Sequence, residues 1–299
     1  MDIKQLKFLI ALDQTRHFGK AAELCHVTQP TLSTRISGLE EELELQLVKR
    51  GHRFEGFTEA GERILAWAKT LLAAHDGLQA EAANCRGQLV GNLRLGMVPL
   101  ASFDPMTLLK PLAERYPELR FELSSLSSEQ ILDDLQRNHL DLGLCYLDQA
   151  DPAHFEVLQL SDTTMELLFD SRYFQFAPGE LSWSEVSTVP LGMLSKTMHF
   201  RQSIVAMLRS QGLEIQPVME SDSTLFLMQA VKAGICCAVM PQHIGMENLN
   251  ADLDMRPIAG AATESPLGLM MRRSEPRSAL AQKCFEQAQV LFSRPPSND

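Results

Sequence analysis

A series of helix-forming patterns near the N-terminus constrains the fold of this chain more than any other feature of its sequence. Apolar residues recur at helical spacing between Ile3 and Ile10 and predict an amphipathic helix over residues 3–15. Residues 16–19 interrupt this pattern, and Lys20–Cys25 predict a second, short helix. Two adjacent alanines within the second helix would let a neighbouring helix approach closely. The chain is therefore expected to begin with a compact helical unit.

A third helix is predicted after a tight turn at His26 and Val27. Thr28 is a favourable N-cap, and Pro30 falls in the first helical turn, where its missing N–H has no cost. The inward stripe of this helix is formed by Ile36, Leu39 and Leu43. The second and third helices therefore predict a helix-turn-helix over residues 18–43.

The outward face of the third helix carries short polar groups and one arginine, namely Gln29, Thr31, Ser33, Thr34 and Arg35. Such side chains can reach base edges and phosphates in the major groove of DNA. The net charge of −11 argues against a polyanionic partner for the chain as a whole. However, the segment from Thr28 to Leu39 contains one arginine and no acidic residue. We therefore expect a local DNA-binding face on this helix.

The sequence F-G-K-A-A-E-L-C-H-V-T-Q-P-T-L-S-T-R-I-S-G-L-E-E-E-L, followed by L-V-K-R and F-T-E-A-G, resembles the LysR-type transcriptional regulator family. The resemblance covers Met1 to about Leu72 in its motifs and the rest of the chain in its layout. It implies a winged helix-turn-helix that binds double-stranded DNA. The DNA-binding residues predicted in this way are Lys20, Thr28, Gln29, Pro30, Thr31, Ser33, Thr34 and Arg35 at the recognition helix, and Lys49, Arg50 and Arg53 on the wing.

Two departures from the family pattern are visible. Gly19-Lys20 stands where the family usually carries Ser or Thr, and the wing reads K-R-G-H-R-F-E-G-F. Lys20 adds a positive charge near the DNA backbone, whereas Glu55 leaves the contacts of the wing open.

A long helix is predicted from Thr58, its N-cap, to about Ala83. Its apolar side is formed by Ile64, Trp67, Leu71, Leu72 and Leu78. A helix of roughly 25 residues spans about 37 Å, too long to be buried by the small preceding unit. Its expected partner is the same helix of a second copy, which predicts a homodimer, a palindromic promoter site and, from the family resemblance, a tetramer. Packing within one chain is the alternative.

Strand and helix patterns alternate after Leu93 and predict parallel sheets covered on both faces. This layout resembles the two-lobed periplasmic-binding-protein fold with which the family senses small molecules. The predicted domains are the winged helix-turn-helix at residues 1–58, a linker helix and hinge at 59–90, and an α/β effector-binding domain at 91–299. Lobe I is expected at 91–161 and 268–299, and lobe II at 162–267.

Ligands of open parallel sheets collect beyond the carboxyl ends of the strands. The loops expected there carry hydroxyls and, in one case, basic side chains, so a small carboxylate or other anion is the expected effector. Arg201 in particular is predicted in the first turn of its helix. Its charge would be unfavourable beside the positive end of the helix unless an anion were close. The predicted effector-binding residues are Pro99, Leu100, Ala101, Ser102, Ser127, Ser128, Ser195, Thr197, Met198, His199, Phe200, Arg201, Ser223 and Thr224.

Other function classes find little support. No secretory leader or membrane-spanning apolar run is present, so a cytoplasmic location and no membrane partner are expected. The six cysteines are scattered, without a C-x-x-C pair, and no common catalytic or nucleotide-binding motif occurs. We therefore expect no catalytic residues, metal site or cofactor. A thiol-based peroxide sensor on the same scaffold, a free solute-binding protein and an enzyme are kept as alternatives.

Overall fold

The computed structural model describes residues 1–50, 54–86, 89–161, 163–242, 252–262, 266–274 and 277–292. The chain forms two compact units. The first comprises Met1–Gln88 and Arg137–His139, and the second comprises Leu89–Gln136 and Leu140–Asp299.

The first unit begins with three helices and a two-stranded sheet and ends with a long helix. Its elements are α1 (Ile3–Thr15), α2 (Phe18–Leu24), α3 (Gln29–Leu43), β1 (Val48–Arg50), β2 (Phe54–Phe57) and α4 (Glu59–Asn84). β1 and β2 pair antiparallel and form the wing. The predicted winged helix-turn-helix and long linker helix are confirmed.

Local capping explains where the first helices begin and end. The Asp2 carboxylate accepts from Gln5 N at 2.8 Å, while Gln5 returns a bond to the Asp2 backbone N–H, so α1 starts with a capping box. Arg16 ends α1 in the left-handed conformation at a φ of 50°. His17 then caps α2 with its side chain, so this helix starts two residues before the predicted Lys20.

The core of the first unit is formed by the inner faces of α1, α3 and the start of α4. Its fully buried side chains include Leu9, Leu12, Leu32, Ile36 and Leu39. Leu43, expected in the inward stripe, is half-buried, whereas Leu32 lies at the centre. Burial of aliphatic side chains of this size contributes about 1.5–3 kcal/mol each and fixes the position of α3.

The start of α4 is packed tightly against the wing. Thr58 accepts from Gly61 N at 2.9 Å as the predicted N-cap, and its own hydroxyl donates to the Gln46 carbonyl at 2.6 Å. A Cβ on Gly61 would lie 2.0 Å from the Leu47 carbonyl oxygen, so only glycine fits there. The long helix and the wing are therefore joined rigidly at this point.

The second unit has two lobes. Lobe I opens with β3 (Gly91–Met97), α5 (Met106–Arg115), β4 (Leu119–Ser125), α6 (Ser128–Gln136), β5 (Leu142–Tyr146) and β6 (Phe155–Ser161). Lobe II follows with β7 (Thr164–Asp170), α7 (Trp183–Val186), β8 (Leu191–Leu194), α8 (His199–Ser210), β9 (Met219–Ser221), α9 (Thr224–Lys232), β10 (Cys237–Pro241) and β11 (Leu253–Ala262). The chain then returns to lobe I with β12 (Leu267–Arg272) and α10 (Ala279–Phe292).

Each lobe contains one five-stranded sheet, with the orders β4-β3-β5-β12-β6 and β11-β7-β10-β8-β9. The two-lobed α/β fold is confirmed, but the prediction of purely parallel sheets is wrong. β12 runs antiparallel to β5 and β6, and β7 runs antiparallel to β10 and β11. β7 and β12 each follow a crossing between the lobes that contains no helix. Parallel neighbours need a long crossover connection, so strands that enter directly can run antiparallel to their neighbours.

Among the described residues, no helix is long and apolar enough to cross a membrane.

Candidate DNA-binding face and ligand-binding cleft

The start of α3 presents polar side chains away from the core. Gln29, Thr31, Thr34 and Arg35 are exposed and Ser33 is half-buried, while Pro30 is exposed in the first turn. The Thr28 hydroxyl accepts from Thr31 N at 3.4 Å and lies 2.8 Å from the Thr31 hydroxyl. Thr28 is thus occupied in capping α3, while Gln29 and Thr34 remain exposed on the outer face of the helix.

Arg35 is held by the N-terminus of α1. Its Nη1 lies 3.3 Å from Asp2 Oδ2, and Gln5 Nε2 donates to the Arg35 carbonyl at 3.4 Å. Both side chains of the ion pair are about half exposed, so the pair contributes at most about 1 kcal/mol to stability. Asp2, which sequence reasoning missed, therefore orients Arg35 without burying it.

His17 and Gly19 shape the surface beside Gln29. His17 Nδ1 accepts from Gly19 N at 3.0 Å and from Lys20 N at 3.3 Å. A Cβ on Gly19 would lie 3.5 Å from Gln29 Oε1 and 3.1 Å from the His17 ring. The lack of a side chain on Gly19 therefore leaves room for His17 and Gln29. The neighbouring Lys20 is exposed. His17 was missed because histidine is not a common N-cap residue.

The wing is tied to the recognition helix through Glu40. Its Oε1 accepts from Leu47 N at 2.9 Å and from Val48 N at 3.0 Å. Lys49 on β1 is exposed. The Arg50 side chain and Arg53 lie outside the described residues. On the inner side, Phe54 makes an edge contact with Phe18 at 6.1 Å between ring centroids.

A cluster of polar and aromatic side chains lies between the two lobes. Ser102 follows β3, Tyr146 ends β5 and Thr163 lies at the crossing into lobe II, and the hydroxyls of Ser102 and Thr163 are 3.0 Å apart. The His199 ring, at the start of α8, stacks on Tyr146 at 4.2 Å between centroids and places Nε2 at 3.1 Å from Asp148 Oδ2. We call these five residues the interlobe cluster.

Two polar atoms of the interlobe cluster, the Tyr146 hydroxyl and His199 Nδ1, are buried with no partner at hydrogen-bond geometry among the described residues, although the Thr163 hydroxyl lies close enough to Tyr146 to affect its pKa. Burial raises the pKa of Tyr146, so its hydroxyl stays protonated and can donate. Buried polar atoms are usually paired. The cluster therefore has unused hydrogen-bonding capacity at the end of β5, where ligands of such sheets bind.

The other predicted effector residues of lobe I lie at the same end of its sheet, but they differ in burial and in what they bond to. Ala101 is buried, Pro99 is half-buried and Leu100 has a φ of 58°. Ser127 caps α6, because its hydroxyl accepts from Gln130 N at 3.3 Å. Ser128 is buried, and its hydroxyl has no partner within bonding distance among the described residues.

The predicted residues of lobe II divide in a similar way. Ser223 caps α9 by accepting from Phe226 N at 3.4 Å, and Thr224 opens that helix. Ser195 N bonds to the Ser221 carbonyl at 2.9 Å, and Phe200 is buried in the core. The remaining two, Thr197 and Met198, are exposed and half-buried respectively.

Arg201 lies away from the interlobe cluster. Two residues after His199, it projects from the opposite side of α8, towards Glu220 on β9 at 3.6 Å. It lines a separate cavity with Lys196 and Ile215. The structure thus brings Ser102 and His199 together and does not bring Arg201 to them. Sequence reasoning missed Tyr146, Asp148 and Thr163, although the first two follow the strand-end rule.

The cysteine thiols are mostly inaccessible. Burial raises the pKa of Cys145, Cys237 and Cys284 to about 12, and it also raises the pKa of Cys25 and Cys236. The sixth, Cys85, is exposed. In the part of the chain that the structure describes, no three His, Cys, Asp or Glu side chains are grouped to hold a metal ion.

A winged helix-turn-helix followed by a two-lobed α/β domain defines a class of proteins, the DNA-binding regulators with a ligand-sensing domain. Family comparison agrees: "Bacterial regulatory helix-turn-helix protein, lysR family" matches residues 3–62, and "LysR substrate binding domain" matches residues 86–292. The chain belongs to the LysR family of bacterial transcriptional regulators, as the sequence resemblance indicated.

Individual relatives carry more specific names. The chain is 29% identical over 242 residues to a hydrogen peroxide-inducible genes activator of Dickeya chrysanthemi, covering 81% of this chain and 79% of the relative. Full-length CbnR in complex with its target DNA has the same fold, with a TM-score of 0.75 and 18% identity over 97% of this chain and 99% of CbnR. A cysteine variant of full-length OxyR from Pseudomonas aeruginosa has a TM-score of 0.66 and 23% identity, over 98% of this chain and 97% of OxyR.

Proposed function

We propose that this transcriptional regulator acts in the cytoplasm and reads its DNA target with the exposed start of α3. The observation that supports this most is the row of exposed polar side chains from Gln29 to Arg35 beside the free end of the helix. Glutamine pairs well with adenine, and arginine with guanine or phosphate. Lys20 and Lys49, both exposed, would contact phosphates on either side. This role requires no catalytic chemistry.

Gel-shift titration of the full chain on its selected target and on single mismatches tests the base-reading role. Gln29→Ala should reduce the difference in binding free energy between the target and a mismatch at one base pair by about 1–3 kcal/mol. The ranking of affinities for the other mismatched duplexes should stay the same. Lys49→Ala, the matched control, should weaken all duplexes alike. A uniform loss from Gln29→Ala would contradict base reading by this side chain.

We also infer that α4 pairs with the same helix of a second copy. Trp67 is 73% exposed and Leu78 is 71% exposed, and with Leu71 and Ala74 they share one face of α4 at a spacing close to whole helical turns. Exposed apolar faces of this length mark interaction sites. A dimer built in this way would present two recognition helices to a palindromic promoter site, and a tetramer would combine two such dimers.

For the sensing domain, we propose that a small-molecule effector binds at the interlobe cluster and changes the activity of the regulator. The unpartnered Tyr146 hydroxyl and His199 Nδ1 support this proposal, since a ligand would complete their hydrogen bonds. The hydroxyls of Ser102 and Thr163, 3.0 Å apart, lie in the same cluster. A donor-rich site suits a small carboxylate or another small anion.

Calorimetry of the full chain against a panel of small organic acids tests this site. Tyr146→Phe removes only the hydroxyl and should weaken binding of a cleft ligand by at least about tenfold, whereas Tyr116→Phe, a hydroxyl outside the cluster, should not. An acid that changes promoter binding but binds Tyr146→Phe as well as the unchanged chain would contradict the assignment.

A peroxide-sensing role is the second candidate, favoured by the names of the relatives. The buried thiols count against it, because a peroxide-reactive cysteine needs access and a lowered pKa. Cys145 and Cys237 are buried with raised pKa values. Peroxide treatment followed by a promoter-binding titration distinguishes the two candidates, since the effector proposal predicts unchanged affinity.

A further inference from the structure

Lobe II contains a cavity of about 550 Å³ between α8 and the segment that follows it. This volume lies within the range of about 300–1,000 Å³ typical of small-molecule sites. None of the residues that line the cavity belongs to the interlobe cluster. The cavity is therefore a second candidate site, independent of the effector proposal.

The wall of the cavity combines positive charge with apolar surface. Its basic and apolar lining residues are Lys196, Arg201, Arg209, Val205, Leu213 and Ile215. One carboxylate, that of Glu214, also reaches the wall. An amphiphilic ligand with a single negative charge matches this combination.

Arg201 is the least satisfied group of the cavity. Its side chain is 7% exposed, and its Nε and Nη1 atoms have no hydrogen-bond partner among the described residues. Its contact with Glu220, at 3.6 Å, is too long for a hydrogen bond. A buried guanidinium without hydrogen bonds is costly unless an anion pairs with it.

The position of Arg201 in α8 increases this need. It lies in the first turn of the helix, where the aligned peptide dipoles are already positive, and no acidic residue occurs in that turn. No side chain caps the helix at Met198. Burial also lowers the pKa of Arg201, and the carboxylate of Glu220 offsets this effect only in part.

We propose that this cavity binds a small monocarboxylate with an apolar body, such as an aromatic or medium-chain acid. The carboxylate would pair with the guanidinium of Arg201, and the apolar body would lie against Val205 and Ile215. Charge-assisted bonds of this kind supply both affinity and orientation. The carboxylates of Glu214 and Glu220 would disfavour a second negative charge on the ligand.

Calorimetry of the full chain with benzoate and octanoate as probes, and benzamide as the uncharged counterpart, tests this site. Arg201→Met keeps most of the side-chain volume, and Ala206→Trp fills the cavity from its exposed wall without removing the charge. Both variants should weaken binding of the acid by at least about tenfold, and benzamide should bind the unchanged chain more weakly by a similar factor. Tyr146→Phe, in the interlobe cluster, should bind the acid as the unchanged chain does.

Three results would overturn the proposal. The first is that neither acid binds the unchanged chain. The second is that Arg201→Met binds as well as the unchanged chain, or that Tyr146→Phe abolishes binding, which would move the ligand to the interlobe cluster. The third is that Arg201→Met sediments with a lower molecular mass than the unchanged chain. This would show that a carboxylate of a second copy of the chain pairs with Arg201.

Discussion

His199→Ala should loosen the contact between the two lobes by a predictable amount. The substitution removes the stacking of His199 on Tyr146 at 4.2 Å and the bond to Asp148 at 3.1 Å. An aromatic pair contributes about 0.5–1.5 kcal/mol beyond area burial, and a hydrogen bond about 0.5–1.5 kcal/mol. The lost coupling is therefore about 1–3 kcal/mol, which corresponds to a roughly 5- to 150-fold change in the opening equilibrium.

Native-state hydrogen exchange, followed by mass spectrometry, measures this change. Exchange in residues 198–204 and 144–148 should accelerate within that range, while Ser210→Ala at the far end of α8 should leave both segments unchanged. Tyr146→Leu should give a similar effect, and the double variant with His199→Ala should be clearly less than additive. Additive effects, or acceleration below about twofold, would refute the coupling of the lobes through this pair.

Three further predictions concern the rest of the chain. Gly61→Ala would put a methyl carbon 2.0 Å from the carbonyl oxygen of Leu47. It should therefore lower the free energy of unfolding by about 1–3 kcal/mol or more and weaken DNA binding. An unchanged Tm in thermal unfolding would contradict this. Leu78→Glu, on the exposed apolar face of α4, should dissociate the dimer in sedimentation, whereas Gln79→Glu should not. Iodoacetamide at pH 8 should label Cys85 and spare Cys145, because a pKa raised to about 12 leaves roughly one thiol in 10⁴ ionised; fast labelling of Cys145 would show that it is accessible.

Local patterns predicted the helices well because their ends are set by nearby residues. The predicted bounds of α1 agree with the structure, and Thr28 and Thr58 cap their helices as expected. The start of α2 was missed because its cap is the His17 ring. The direction of β12 depends on a return from the other lobe, more than a hundred residues after β5 begins, and no local pattern encodes it.

The candidate sites show the same division between local and long-range information. The exposed face of α3 follows from helical periodicity, so Gln29 and Thr34 were predictable. Thr163 entered no prediction because its relevance depends on the approach of Ser102 from a distant part of the chain. The separation of Arg201 from His199 was predictable in principle, since residues two apart lie about 200° apart around a helix.

A symmetric pair of recognition helices in this LysR-family chain requires a DNA target with two-fold symmetry. Selection of bound duplexes from a random library by the full-length chain, followed by sequencing, tests this requirement. We expect enrichment of an inverted repeat whose half-sites are separated by one helical turn, about 10–10.5 base pairs, or a multiple of it. Enrichment of a single unpaired half-site, or of no sequence at all, would contradict DNA reading by a paired helix.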